Sequence, residues 1–414
     1  MKAQPRVIDA DSHFVEPLDW LGTVNPRLAK QLGDEMSVNE FLEMWTVGLT
    51  TEMFTSLPDE LRPAAKDIVP GGVTSLTEKL GYELVSDTPN RKIPVSEFQR
   101  LLVNSEMGST FWPQGSFRPE ERVRFCDEHQ IGLQFINPTF MVPTLRRVSD
   151  RHPELVVSFV EAYNDWAAEV CRSHLDRFIP VTYLLVENVQ WACAELRRMR
   201  RRGSRAFIFS SRSVGGRSVA DPSMDPMWST AVELGMIPFL HVGVGRSKID
   251  HAWAMVNGRL DPALAIRLIL NENHIHPQRV LSGLILGGVF DRHPNLTVVC
   301  QEFGVSWINS WVEASGFNHF TAMFAVLFGD WPCKRDARDY MGRNIRMCPL
   351  PRHRPDALMR DFGEEVVAFA TDYPHPEGAD SAKADFDALF ARENVSASAR
   401  ARFFGGNIEE LLAR

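Results

Sequence analysis

Eight short apolar runs recur along the 414 residues, separated by longer stretches with helical spacing. That alternation restricts the chain to a mostly parallel sheet covered by helices. The runs are Arg6–Ala10, Ile131–Ile136, Phe178–Leu184, Ser204–Phe209, Ile237–His241, Leu296–Glu302, Asn344–Cys348 and Val366–Thr371. Between them, Glu154–His174 carries Phe159, Tyr163, Trp166 and Val170 at helical spacing, and VENVQWACAELRRMRRRG ends at a glycine stop. Eight β/α units favour closure into a barrel over an open doubly wound sheet. No Gly-rich dinucleotide or phosphate loop accompanies them, since GGV at Gly71 and SVGGRS at Ser213 lack both the spacing and the strand-to-helix setting.

A plain eight-stranded barrel needs about 250 residues, so this chain carries a surplus. The first run ends at Ala10 and the second begins at Ile131, which places one insertion at 14–123; another lies around 304–343. Phe41, Trp45, Phe98, Phe111, Trp112, Phe317, Phe320 and Trp331 make these more than slack linkers. They are expected to pack over a barrel mouth or against a second subunit, or else to be hydrophobic ballast for long excursions.

Composition narrows the function. The net charge of −8 removes any global attraction for nucleic acid or anionic membranes. The six cysteines, Cys126, Cys171, Cys193, Cys300, Cys333 and Cys348, are too dilute for a disulfide scaffold and lack zinc-knuckle pairing. With no apolar stretch of about 18 residues and no leader-like start, the chain reads as a soluble cytoplasmic protein.

Three runs end in groups that bind metals. In IDADSHFVEP, Asp9, Asp11 and His13 occur at period two, which puts them on one face of a strand. MIPFLHVGVG runs into His241 between apolar residues and glycines, and VVAFATDYPHPEG ends in Asp372, followed by His375. Singly, a D-x-H pair also suits a turn or cap, and a strand-ending histidine also suits a core. Together, the first, fifth and eighth strand ends of a closed barrel bring Asp11, His13, His241 and Asp372 to one rim, where four such groups suit a divalent ion. Zinc fits this N/O set best, with manganese or another divalent ion as the alternative.

At these residues the sequence resembles the amidohydrolase superfamily, in particular the amidohydrolase-related branch that includes aminocarboxymuconate-semialdehyde decarboxylase and the resorcylate-type decarboxylases. VIDADSHFVEP, YNDWAAEVC, DRFIPVTYL, DPMWSTAVELGMIPFLHVG, GVFDRHPNLTVVCQEFGVSW and ATDYPHPEG carry the resemblance in order, from Val7 to about Leu412. It implies one (β/α)8 TIM barrel with long, largely helical insertions spanning 1–414, usually a homodimer. It also implies metal ligands at Asp11, His13, His241 and Asp372, the last also handling a proton. One position departs from the pattern. Where decarboxylase-like members usually present histidine after the sixth strand, this chain has Glu302, which accepts or delivers a proton, ligates metal or orients a neighbour, but cannot act as a neutral N–H donor.

The resulting expectation is a metal-dependent decarboxylase, a carbon–carbon lyase, acting on a small aromatic or unsaturated carboxylic acid without an organic cofactor. Asp372 manages the proton and Glu302 is a second catalytic candidate; Trp307 and His375 are candidate substrate contacts. Arg292 and His293 read instead as a turn at the opposite face. A metal-dependent hydrolase of an ester, lactone or amide is the alternative, and a non-catalytic barrel with a decayed site a third.

Overall fold

The computed structural model of the chain describes residues 6–17, 19–33, 54–55, 113, 115–210, 215–243, 249–272, 274–316, 323, 326–329, 332–375, 378 and 381–414. Most of the expected insertion at 14–123, with Phe41, Trp45, Phe98, Phe111 and Trp112, lies outside the described residues, as do Phe317, Phe320 and Trp331 of the second.

Seven parallel strands follow one another around the sheet in sequence order: β1 (Ile8–His13), β2 (Leu133–Asn137), β3 (Phe178–Leu184), β4 (Ala206–Phe209), β5 (Ile237–His241), β6 (Val298–Gln301) and β7 (Ile345–Met347). Helices cross between them. Val189–Arg201 is typical: Asn188 caps it by accepting from the Trp191 amide at 3.0 Å, its basic residues Arg198, Arg200 and Arg201 sit in the last turn, and Gly203 breaks it at φ +99°. Leu196 and Met199 of its inner face are buried, as is every residue of β1 to β7.

The expected eighth strand, Val366–Thr371, is real in position but incomplete as a ladder. A 3-10 turn occupies Glu364–Val366. Beyond it, two isolated parallel bridges, Val367 to Met347 and Tyr373 to Ser12, tie the segment to β7 on one side and β1 on the other. Four backbone bonds complete the closure: Ala368 N to Met347 O (2.9 Å), Ala10 N to Phe369 O (2.9 Å), Asp372 N to Asp11 O (2.8 Å) and His13 N to Tyr373 O (2.7 Å). The ladder is broken because other acceptors take its N–H groups. Phe369 N donates to Phe403 O, and Thr371 N donates to the Asp9 carboxylate. The ring of eight therefore closes, and the barrel expected from the sequence is the fold observed.

Strand β1 begins later than its apolar run and continues through the polar residues to His13. Its partner register shifts between Asp9 and Ser12, a bulge of one residue. Asp9 stays below that bulge and accepts from Thr371 N (2.9 Å), Thr371 Oγ1 (2.6 Å) and Gln134 Nε2 (2.8 Å), so it ties β2 and the eighth segment to β1. Among the described residues no helix is long and apolar enough to cross a membrane.

Candidate active site

Six acidic and imidazole side chains meet where the strands end. His13 Nε2 stands 3.5 Å from Asp11 Oδ1, 3.2 Å from Glu302 Oε1 and 3.5 Å from Asp372 Oδ1. His241 Nε2 stands 3.5 Å from Asp11 Oδ1 and 3.2 Å from the same Glu302 oxygen. His375 Nδ1 lies 2.9 Å from Asp372 Oδ1 and 3.5 Å from Glu302 Oε1, with its ring centre 4.0 Å from that of His13. The ligand atoms form two overlapping sets, Asp11–His13–His241–Glu302 and His13–Glu302–Asp372–His375, each within 4.8 Å. The four expected ligands are thus brought together, and Glu302 and His375 join them.

The backbone at the two remaining acids is unusual. Gln301 points into the lumen, where its amide donates to Ala10 O, so strict strand alternation would turn Glu302 outward. Glu302 instead takes φ +62°, and Asp372, after the inward Thr371, takes φ +56°. Left-handed backbone at non-glycine residues costs about 1–3 kcal/mol each. Here it swings two consecutive side chains to the same side of the wall.

Neighbours fix the orientation of the other groups. His13 Nδ1 pairs with Pro138 O (3.0 Å) and His241 Nδ1 with Val242 O (2.8 Å). With carbonyls as partners, each Nδ1 carries a proton, which turns each Nε2 toward the carboxylates of the cluster. Asn137, at the end of β2, donates from Nδ2 to Asp11 Oδ1 at 2.6 Å. Sequence reasoning passes over Asn137, although a polar residue ending an apolar run is the same signal that marks His241.

The cluster lacks positive charge. Burial disfavours the charged form of His241, yet the Glu302 and Asp11 carboxylates raise its pKa well above the usual imidazole range. Burial and His375 oppose charge on His13, and Asp11 and Glu302 outweigh them to raise it as well. Burial would push Glu302 up, but His241 and the other imidazoles hold it well below the ordinary carboxylate range. Asp372 is driven well above that range by burial and by the Glu302 and Asp11 carboxylates. Three buried carboxylates thus draw positive charge to themselves.

A divalent ion fits this deficit. Asp11 Oδ2, Asp372 Oδ2 and His241 Nε2 are buried with no hydrogen-bond partner among the described residues, and orphaned buried acceptors are costly unless something else coordinates them. Two N/O ligands about 2.1 Å from a tetrahedral ion stand about 3.4 Å apart, which is the range of the imidazole-to-carboxylate separations measured around His13 and His241.

The remaining candidates lie elsewhere. Trp307 is 6% exposed; its indole N–H donates to Phe303 O at 3.0 Å, and its ring meets Trp311 edge-on at 5.6 Å. Those contacts make it a packing residue at the start of the helix Ile308–Ser315. Arg292 and His293 stand at the entry to β6, the end away from Glu302, where both bind Asp225.

The chain matches the family model described as Amidohydrolase over residues 8–414. It is 25% identical over 312 residues to a gamma-resorcylate decarboxylase of Rhodococcus jostii, covering 69% of this chain and 86% of that one. It is also 25% identical over 279 residues to a 2-amino-3-carboxymuconate-6-semialdehyde decarboxylase of Dictyostelium discoideum, covering 66% and 70%. Among solved structures, it superposes with TM-score 0.63 on an amidohydrolase from Mycobacterium avium subsp. paratuberculosis, at 20% identity and 99% coverage of both chains. A 5-carboxyvanillate decarboxylase from Novosphingobium aromaticivorans, with bound manganese and a nitrobenzoic acid, also superposes at 0.63, with 17% identity over 100% of this chain and 98% of that one.

Proposed function

Because this chain belongs to the amidohydrolase family, we propose that it is a metal-dependent decarboxylase of a small aromatic or unsaturated carboxylic acid. The observation that carries this reading is the convergence of Asp11, His13, His241, Glu302 and Asp372 at the barrel mouth, with carboxylate oxygens left without donors among the described residues, in a chain similar to decarboxylases. Those similarities favour carbon–carbon cleavage over hydrolysis, which would use the same residues.

Asp11, His13, His241 and Asp372 would hold the ion, with Glu302 in reach of the same place. Zinc suits the nitrogen donors; Glu302 adds a third carboxylate and moves the set toward the oxygen-rich preference of manganese, the ion bound in the carboxyvanillate decarboxylase structure. When bound, the ion supplies electrostatic stabilisation for the charge that develops on substrate oxygens. The chain's own residues do the rest. Asn137 fixes the Asp11 carboxylate, and the Pro138 and Val242 carbonyls fix the two imidazoles. His375 donates to Asp372 Oδ1 and steadies the carboxyl group that would pass a proton to the substrate. That proton goes to the carbon bearing the carboxylate; the carbon–carbon bond then breaks, CO2 leaves, and water returns the proton to Asp372.

A homodimer would cover the exposed Val326, Leu327 and Phe328 of the second insertion, which are 87%, 64% and 80% accessible. Light scattering after size exclusion tests it. The six unpaired cysteines suit a reducing, cytoplasmic setting.

The direct test is CO2 release from 2,6-dihydroxybenzoate, 5-carboxyvanillate and related phenolic acids, with metal analysis of the same preparation. Asp372→Asn should keep its fold and lose about 10²–10⁴ in kcat. Undiminished kcat/KM in that variant would remove Asp372 from the proton step, and release of alcohol or amine rather than CO2 would establish hydrolysis.

A further inference from the structure

A cavity of about 700 Å³ lies beside the centre, lined by Arg352, His353, Arg354, Gly378, Asp385 and Arg392 among others. None of these belongs to the metal-binding cluster, yet the walls touch its loops. A Cβ on Gly378 would come within 2.1 Å of Thr371 O and 2.9 Å of Asp372 Cβ, so this wall packs directly on the segment that carries Asp372. His353 Nε2 lies 3.1 Å from where a Cβ on Gly304 would stand, two residues beyond Glu302.

The lining is basic in a chain of net charge −8. Among the lining residues, Arg354 pairs with Asp356 and Glu393, and Arg392 pairs with Glu393. Those contacts set two lining guanidiniums against two carboxylates. Arg352 adds a third and has no acidic partner within 4 Å among the described residues. Asp385, which accepts from Ser381 Oγ at 2.8 Å, is the acid among the lining residues. His353 adds an oriented donor: its Nδ1 accepts from Leu350 N at 3.0 Å, so the ring proton is on Nε2.

The charge of the centre gives this wall a purpose. With Asp372 carrying the proton it delivers, two charged carboxylates, one divalent ion and neutral imidazoles sum to zero. A centre without net positive charge draws in an organic acid weakly, whereas guanidinium groups bind carboxylates with two parallel hydrogen bonds. A cavity of this size is also within the roughly 300–1,000 Å³ range of small-molecule sites.

We propose that this cavity is a carboxylate-binding subsite adjoining the metal centre, with Arg352 and Arg392 as its charged contacts and His353 as its neutral donor. The inference rests on the decarboxylase reading for its role in catalysis, though not for the binding itself. The carboxylate comes either from a second acidic group of the substrate or from a separate anion, and the two sources are separable.

Metal-loaded wild type and the Arg352→Ala/Arg392→Ala variant are titrated calorimetrically with benzoate. Both side chains are solvent-exposed, so the variant should match wild type in Tm and metal content. Benzoate affinity should fall at least 10-fold. If the substrate supplies the group, KM for 5-carboxyvanillate rises by a similar factor with kcat within threefold, while KM for 2,6-dihydroxybenzoate hardly moves. If a separate anion fills the cavity, added acetate alters wild-type turnover and leaves the variant indifferent. Benzoate affinity within twofold of wild type overturns the proposal. A wild type that binds benzoate through these arginines yet releases no CO2 from any acid would overturn the decarboxylase reading and leave the subsite standing.

Discussion

Strand β6 carries charged groups at both of its ends, and the molecule uses them in opposite ways. At its entry, Arg292 makes a two-pronged contact with Asp225 at 2.7 and 3.0 Å, and His293 approaches the same carboxylate at 3.2 Å. At its exit, Glu302 is ringed by three imidazoles, while Asp11 Oδ2 and Asp372 Oδ2 nearby have no donor among the described residues. The entry couples a cation to a single anion on relaxed backbone. The exit crowds three carboxylates together and holds two of them at positive φ. Ion pairing of the first kind stabilises a barrel's base, whereas frustration of the second kind marks a place where something else must bind.

The sharpest way to break this contrast is one substitution at each end. His241→Ala should reduce bound metal from about one equivalent per chain to below about 0.2 and lower kcat/KM by about 10³-fold or more. In the metal-free protein the same change also removes the imidazole that faces Glu302 and Asp11, so stability is measured separately from metal loss. Asp225→Ala should do the reverse: metal content and kcat/KM unchanged, and unfolding free energy lower by about 1 kcal/mol, since the pair is only partly buried. Metal analysis and urea unfolding on both variants decide the matter. Equal metal loss from both would erase the distinction between the ends.

A smaller effect tests whether the mouth depends on groups that never touch the ion. Asn137→Ala removes the donor to Asp11 Oδ1 and should weaken metal affinity about 10–100-fold, the usual cost of losing a residue that orients a ligand. Competition with a chelating dye measures this directly. Affinity within twofold of wild type would mean that Asp11 is held in place by its strand alone.

The two ends are unequally legible in the sequence. Asp11, His13, His241 and Asp372 each end an apolar run, and the barrel rule converts that position into shared location. Asp9 looks identical to Asp11 at period two, and only the bulge between Asp9 and Ser12 assigns it to a structural network instead. Glu302 is visible as a departure from a histidine, but its return to the lumen depends on a φ value that residue identity does not encode. The apolar run places the eighth strand correctly. Its broken ladder is not foreseeable, because the competing acceptors, Asp9 and Phe403, are distant in sequence. Arg352, His353 and Arg392 give no periodic signal at all; they come together only because the loop after β7 meets the end of the helix Ala382–Arg392.

The least of the expected effects concerns the wall of that basic cavity, and it extends the contrast beyond the mouth. Asp356 is a buried carboxylate whose pKa is lowered to about 2, chiefly by hydrogen bonds from Arg354 and then Arg360, against the opposing effect of burial. An acid whose pKa falls on folding adds stability that is fully present above its unfolded value near 4 and disappears as pH falls through 2. Both arginines are about half exposed, so solvent screening reduces the contribution at pH 7 to about 1 kcal/mol. Asp356→Asn should therefore be destabilised by that amount at pH 7, by about the same at pH 5 and by about half as much at pH 3, as read from urea midpoints. A deficit unchanged at pH 3 would show that the lost stability lies in packing rather than charge. Arg354 would then owe its place in the cavity wall to the shape of the loop, and the guanidinium cluster would not depend on Asp356 for its order.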